Sequence, residues 1–73
     1  MKRRFMLREF EDGTITIFLD DENRVVLQHE HGGVVQSRSY ETLEEMANDM
    51  ASLEFVSDEA YSAITNHLGL HFV

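Results

Sequence analysis

The fold is decided by residues 12–19, which read DGTITIFL. Asp12 and Gly13 both tolerate the positive φ of a type I′ turn, so this pair predicts a tight hairpin. The six residues after the pair alternate, which predicts a strand with one face turned to a core. The core face carries Ile15, Ile17 and Leu19, and the opposite face carries Thr14, Thr16 and Phe18.

Three further stretches have the composition of β-strands. Residues 3–10, 24–30 and 34–39 contain apolar or β-branched residues and are bounded by turn-forming residues. The turns are a polar run at residues 20–23 and a glycine pair at residues 32–33. Because connections this short join antiparallel neighbours, the first part of the chain is predicted to be a four-stranded β-meander.

The second part of the chain reads as two helices. Thr42 and Glu45 have the spacing of a capping box and precede a helical stripe of apolar residues. Ser57 is suited to cap a second helix, which Gly69 is suited to end in the left-handed conformation. Each helix is apolar on one side, so both are expected to pack on one face of the sheet.

These elements predict one α+β domain over residues 1–73. Residues 1–40 form the sheet half, residues 41–69 form the helical half, and residues 70–73 form a tail. The tail alternates weakly, which is compatible with a short strand at a sheet edge.

Composition excludes several classes of protein. The chain has no cysteine, which excludes disulfides, thiolate catalysis and cysteine-ligated zinc. Its longest apolar runs are three residues, far short of the roughly 20 that a membrane helix needs. No signal-peptide pattern follows the basic start, so we expect a cytoplasmic protein with no membrane partner.

The charge of the chain is unevenly distributed. The net charge is −8, which argues against direct binding to nucleic acid. Residues 1–38 hold seven acids and all six bases, whereas residues 39–73 hold seven acids and no lysine or arginine. Nearly all the net charge therefore belongs to the helical half, and such a surface attracts basic partners.

Part of this acidity has a structural explanation. Four of the acids lie in predicted first turns, where each stabilises its helix by about 0.3–1 kcal/mol. They are Glu44, Glu45, Asp58 and Glu59. Glu41, Asp49 and Glu54 lack so direct an explanation, and Glu45 and Asp49 form a like-charge pair four residues apart. The pattern is compatible both with an ordinary solvated helix surface and with an acidic docking surface. If it is a docking surface, the docking acids are Glu41, Glu45, Asp49 and Glu54.

An apolar patch is expected on the sheet face that the helices leave open. Phe18 and Val26, together with Met6, are predicted to point away from the core. A contiguous exposed patch marks an interface, and a small domain gains from extending its core across a two-fold axis. This patch is compatible with a homodimer formed through the sheet face or a strand edge. The candidate apolar interface residues are Phe18, Val26, Tyr40 and Tyr61.

The sequence gives little indication of metal binding, nucleophilic catalysis or phosphate binding. His29 and His31 flank one acid and are the weak alternative for a metal site. His67 and His71 are four residues apart, but Gly69 is expected to end the helix between them. The serines lie in no nucleophile-elbow context, and the glycine pair joins two strands instead of opening a helix onto a phosphate. We therefore expect neither catalysis nor a cofactor.

The sequence thus predicts a small acidic protein-binding module. Its acidic helical face would occupy a basic surface of a partner protein, including one that otherwise binds nucleic acid. A stoichiometric inhibitor or accessory protein of phage type has this size and acidity. The alternative is a homodimeric structural or assembly domain, in which the acids serve only solubility.

Overall fold

A computed structural model describes residues 3–69 and confirms the predicted fold class. The sheet consists of β1 (Arg3–Phe10), β2 (Gly13–Leu19), β3 (Val25–His31) and β4 (Val34–Tyr40). Two helices follow, α1 (Leu43–Met50) and α2 (Asp58–Leu68). The strand predicted for residues 70–73 lies outside the described residues. None of the described helices is long and apolar enough to cross a membrane.

The strands form an antiparallel meander in the order β1-β2-β3-β4. Ile17 lies opposite Leu27, and Phe18 lies opposite Val26. Because successive side chains point to opposite faces, the first pair faces the helices and the second pair faces the open side. The core between sheet and helices consists of Met6, Ile15, Ile17, Val25, Leu27, Met46, Ala47, Met50, Ala60 and Ile64.

The first hairpin turn differs from the prediction by one residue. Phe10 pairs with Gly13, so the turn residues are Glu11 and Asp12, and neither has a positive φ. Gly13 instead occupies the first position of β2 with a φ of 139°. A Cβ there would lie 2.5 Å from Nε2 of His29 and 2.5 Å from the carbonyl oxygen of Glu30. Glycine is needed here because β3 passes too close for a Cβ. The prediction that Asp12 and Gly13 form a type I′ turn is therefore wrong.

A β-bulge in β1 overturns the predicted position of Met6. Arg4 lies opposite Phe18, yet Met6 lies opposite Ile17, so Phe5 is the extra residue of the bulge. The extra residue reverses the alternation, and Met6 turns to the helix side with 6% of its surface exposed. The prediction that Met6 faces the open side is therefore wrong.

The helix caps follow the sequence closely. The Thr42 hydroxyl accepts a hydrogen bond from the Glu45 amide at 3.1 Å, and the Ser57 hydroxyl accepts one from the Ala60 amide at 3.1 Å. The Glu45 carboxylate reaches back to the amide of Glu41 at 3.1 Å, which completes the capping box one residue earlier than its usual form. These caps fix where each helix begins on the sheet.

The helices do not cover the whole sheet. Residues 34–39 of β4 are all exposed, and only Tyr40 at the end of the strand is half-buried. Tyr40 packs against the core cluster from this position. Most of β4 therefore extends beyond the helical layer.

Candidate functional site

Two of the predicted docking acids lie along one side of α1, and a third lies just before the helix. Glu41, Glu45 and Asp49 follow each other at four-residue intervals, and we call them the acidic ridge. Residues at this spacing share a helix side, which is how α1 brings two of them into line with Glu41 just before it. Below the ridge a shallow depression of about 130 Å³ is lined by Arg24, Ser39, Tyr40, Glu41 and Glu45.

Two members of the acidic ridge also hold the fold together. Glu45 completes the cap of α1, as described above. Asp49 is half-buried and accepts a hydrogen bond of 2.5 Å from the Tyr40 hydroxyl. Burial, this hydrogen bond and the charge of Asp49 together raise the pKa of the Tyr40 phenol well above its ordinary value, and Arg38 partly opposes them. Asp49 thus has a structural role that the sequence pattern did not reveal.

Glu54 lies apart from the acidic ridge. It is exposed in the connection between α1 and α2, next to the half-buried Phe55. The structure therefore brings together three of the four predicted docking acids and leaves the fourth in a separate segment.

A fourth acid, from the sheet half, lies near the acidic ridge. A shallow depression of about 170 Å³ is lined by Glu22, Asn23, Arg24 and Glu41, so Glu22 lies near the start of the ridge. Glu22 is not among the docking acids predicted from the sequence, because residues 20–23 read as a polar turn of the sheet half. The strand register explains the position of Glu22, since Val25 pairs with Tyr40 and the turn before Val25 is thereby placed beside residue 41.

The four predicted apolar interface residues do not form one patch. Phe18 and Val26 pair on the open face, where Phe18 is half-buried and Val26 is only 9% exposed. Tyr40 and Tyr61 instead pack against the core from the helix side. Within residues 3–69, the large apolar side chains that are exposed are Leu7, Val34 and Val35. Two of these three lie on β4. Their exposure could have been predicted from the sequence, because the last strand of a meander is an edge strand.

His29 is buried in the structure and takes part in packing. Its Nε2 lies 3.0 Å from the carbonyl oxygen of Asp12, and a carbonyl only accepts, so Nε2 donates. Its ring stacks on Phe55 with centroids 4.9 Å apart, while the His31 ring lies 6.5 Å away. Within residues 3–69, no group of three or more His, Asp or Glu side chains is arranged to hold a metal ion. His29 therefore joins the β1–β2 turn to the α1–α2 connection.

One further depression lies between the β1–β2 turn and the start of α2. It has a volume of about 380 Å³ and is lined by Phe10, Glu11, Asp12, Ser57, Asp58 and Glu59. Four of its six lining residues are acids, so its field repels anionic ligands. The Ser57 hydroxyl already accepts the hydrogen bond that caps α2, which gives it a structural role there.

The chain matches no family model, no curated protein and no solved structure at the level that would indicate a relationship. Its function has to be inferred from the surface itself.

Proposed function

We propose that this chain is a small acidic protein-binding module whose helical half docks on a basic surface of a partner protein. One observation carries the proposal. Residues 39–73 contain seven acids and no lysine or arginine, and six of those seven side chains are exposed. They are Glu41, Glu44, Glu45, Glu54, Asp58 and Glu59.

Helix stabilisation accounts for only part of this surface. Glu44, Glu45, Asp58 and Glu59 lie in first turns and favour the helix through its dipole. Glu41 and Glu54 lie outside both helices, and neither carboxylate accepts a hydrogen bond within the described residues. Bases placed four residues from these acids would stabilise the helices by about 0.2–0.5 kcal/mol per pair, and residues 39–73 contain no lysine or arginine.

Such a surface acts by electrostatic complementarity. Clustered carboxylates steer a basic partner into contact and discriminate against acidic partners. On a partner that normally binds nucleic acid, the carboxylates would stand in for phosphates. We therefore propose a stoichiometric inhibitor or accessory protein that acts in the cytoplasm by occupying its partner.

Affinity would come from apolar contact near the charges. Phe55 is half-buried and follows the exposed Glu54 directly. Buried aromatic anchors contribute most of the binding energy in many interfaces, whereas exposed charges at the rim mainly raise the association rate. Glu54 and Phe55 would thus supply a charge and an anchor in one segment.

The test compares two variants with the same loss of charge. The first is E41Q/E44Q/E54Q in the helical half, and the matched control is E9Q/E11Q/E30Q in the sheet half, where all three acids are also exposed. Both retain Glu45 and Asp49, whose carboxylates hold the fold. Partners are captured from an extract of the native source freed of nucleic acid, then purified and titrated by calorimetry.

The proposal predicts a strong dependence on salt and on the helical acids. Affinity of the unmodified protein should fall about tenfold or more between about 0.05 M and about 0.5 M salt, because the Debye length shortens from about 14 Å to about 4 Å. The helical variant should bind more weakly than the control at low salt. A flat salt dependence, or equal loss in both variants, would contradict the proposal.

A further inference from the structure

The two edges of the sheet differ in how they are protected. The β1 edge is interrupted by the bulge at Phe5, and the carbonyl oxygen of Phe5 accepts a hydrogen bond of 3.3 Å from Nε2 of His67. The β4 edge has an unbroken register with β3 from Val25–Tyr40 to His31–Val34, and the chain contains no proline. Bulges, prolines and covering elements are the usual protection of an edge strand, and β4 has none of them within the described residues.

The β3–β4 turn decides which backbone groups of β4 point outward. Gly32 and Gly33 have φ values of 58° and 84°, as in a two-residue type I′ turn. In such a turn the amide of Val34 bonds back to the carbonyl of His31. Because bonded and non-bonded pairs alternate along an antiparallel ladder, every second residue from Val34 bonds to β3. The amides and carbonyls of Val35, Ser37 and Ser39 therefore point away from the sheet.

From this geometry we infer that the chain self-associates through β4, which pairs antiparallel with β4 of a second copy around a two-fold axis at Ser37. Ser37 then faces Ser37 of the other copy, and Val35 faces Ser39 of the other copy. Each of these pairs joins residues whose backbone groups point outward, so each exchanges two hydrogen bonds. The result is an eight-stranded sheet with all helices on one side. The inference is independent of the proposed function.

In this register, the side chains of one β4 fit those of β4 in the second copy. On the helix side, Val34 lies opposite Tyr40 of the second copy. Val34 is 62% exposed in the single chain, and the ring of Tyr40 would cover it. Valine beside an aromatic ring is a favourable cross-strand pair. Arg38 lies opposite Gln36, so like charges do not face each other directly.

The charge of β4 is suited to a second copy at this edge. β4 contains no acid, and its one charged side chain is Arg38. In a chain of net charge −8, two copies that pair along β4 therefore place no acid of one paired strand opposite an acid of the other.

Cysteine cross-linking tests the register directly, because the natural chain has no cysteine. In Ser37→Cys, the two Cα atoms across the axis would be about 5.5 Å apart, within the range of a disulfide. In the control Ser39→Cys, on the same exposed strand, they would be about 13 Å apart and beyond it. We expect Ser37→Cys to form a covalent dimer at least about tenfold faster under mild oxidation, because pairing raises its effective concentration. Equal rates would overturn the inference.

Charge substitution at the axis provides a second test, by sedimentation at high micromolar concentration. Ser37→Glu and Ser37→Lys should each be monomeric, because each places like charges opposite one another. An equimolar mixture of the two should dimerise again. Thr16→Glu is the control, since Thr16 lies on the open face of an inner strand and would disrupt a dimer through that face instead.

The outcomes separate the possible surfaces. A wild-type dimer that Thr16→Glu leaves intact and that the mixed Ser37 variants restore supports the β4 edge. A monomeric wild type overturns the inference, and so does a dimer lost only in Thr16→Glu. Higher salt should strengthen this self-association by screening the net charge, whereas it should weaken binding to a basic partner. Failure of one proposal is thereby distinguishable from failure of the other.

Discussion

At the scale of single residues, Gly13 differs from the other glycines in how closely a neighbouring strand approaches it. A Cβ at Gly13 would lie 2.5 Å from the carbonyl oxygen of Glu30, whereas a Cβ at any of the other three would meet nothing within 4 Å. The Asp12-Gly13 pair looked like the centre of a turn, yet Gly13 is needed because β3 approaches it too closely for a side chain. The alternation of residues 14–19 gave the strand correctly. The contact with His29 and Glu30 could not be foreseen, since it depends on the register between two strands.

We predict that Gly13→Ala destabilises the protein more than Gly32→Ala. Both glycines have a positive φ, but a Cβ at Gly32 meets nothing within 4 Å, whereas at Gly13 it meets a backbone oxygen at 2.5 Å. Gly32→Ala should cost about 1–2 kcal/mol of unfolding free energy from backbone strain alone. Gly13→Ala should cost more than this, as overpacking adds about 1–3 kcal/mol. Urea denaturation measures both, and equal losses would contradict the clash.

The bond between Tyr40 and Asp49 predicts a loss of stability at alkaline pH. The pKa of Tyr40 is raised in the folded state above its ordinary value of 10.0. Its contribution is therefore complete below about pH 10 and declines as pH rises further, because only the unfolded chain can then ionise. Denaturation at a series of pH values should show this decline in the wild type, reduced in Tyr40→Phe.

Tyr61→Phe is the control for that experiment. Tyr61 is also half-buried and packs against the core, so it matches Tyr40 in burial and residue type. If Tyr61→Phe reduces the alkaline decline as much as Tyr40→Phe does, the bond to Asp49 is not its cause.

At the scale of elements, regular patterns were predictable and irregularities were not. The strands, both helices and their caps follow from alternation, helical spacing and cap residues. The bulge at Phe5 does not, because no glycine or proline marks it. The acidic ridge was predictable from four-residue spacing, but its proximity to Glu22 depends on strand register and its bond to Tyr40 on tertiary packing.

The bulge makes a specific prediction for neighbouring residues of β1. Met6 is buried against the helices, while Leu7 is 52% exposed on the open face. Met6→Ala should therefore cost about 2–5 kcal/mol of unfolding free energy, and Leu7→Ala less than about 1 kcal/mol. Without the bulge the order would be reversed, so a larger loss in Leu7→Ala would contradict the register.

At the scale of the whole molecule, charge is divided between the two layers. The sheet half is nearly neutral, and the helical half carries acids without bases after Arg38. Mutual repulsion within that half lowers stability, which is consistent with selection for a binding surface over selection for a stable fold.

A single base in the helical half should therefore stabilise the protein. Asn48 is exposed and lies four residues after Glu44, so Asn48→Lys creates a favourable pair on α1. We expect a gain of about 0.3–1 kcal/mol at low salt that largely disappears at high salt, measured by urea denaturation. Asn48→Gln adds length without charge and serves as the control. A gain that persists in high salt would point to packing as its source.

Because β4 has a neighbouring strand on one side only, its backbone amides should have two different lifetimes in deuterated water. Amides of Val34, Gln36 and Arg38 are held in the ladder to β3, whereas those of Val35, Ser37 and Ser39 face solvent. Exchange along this strand should therefore alternate from one amide to the next, since only bonded amides are protected. If β4 pairs with β4 of a second copy, the outward amides are also hydrogen-bonded, and the alternation disappears. These six amides thus report, one by one, whether β4 is paired with a second copy.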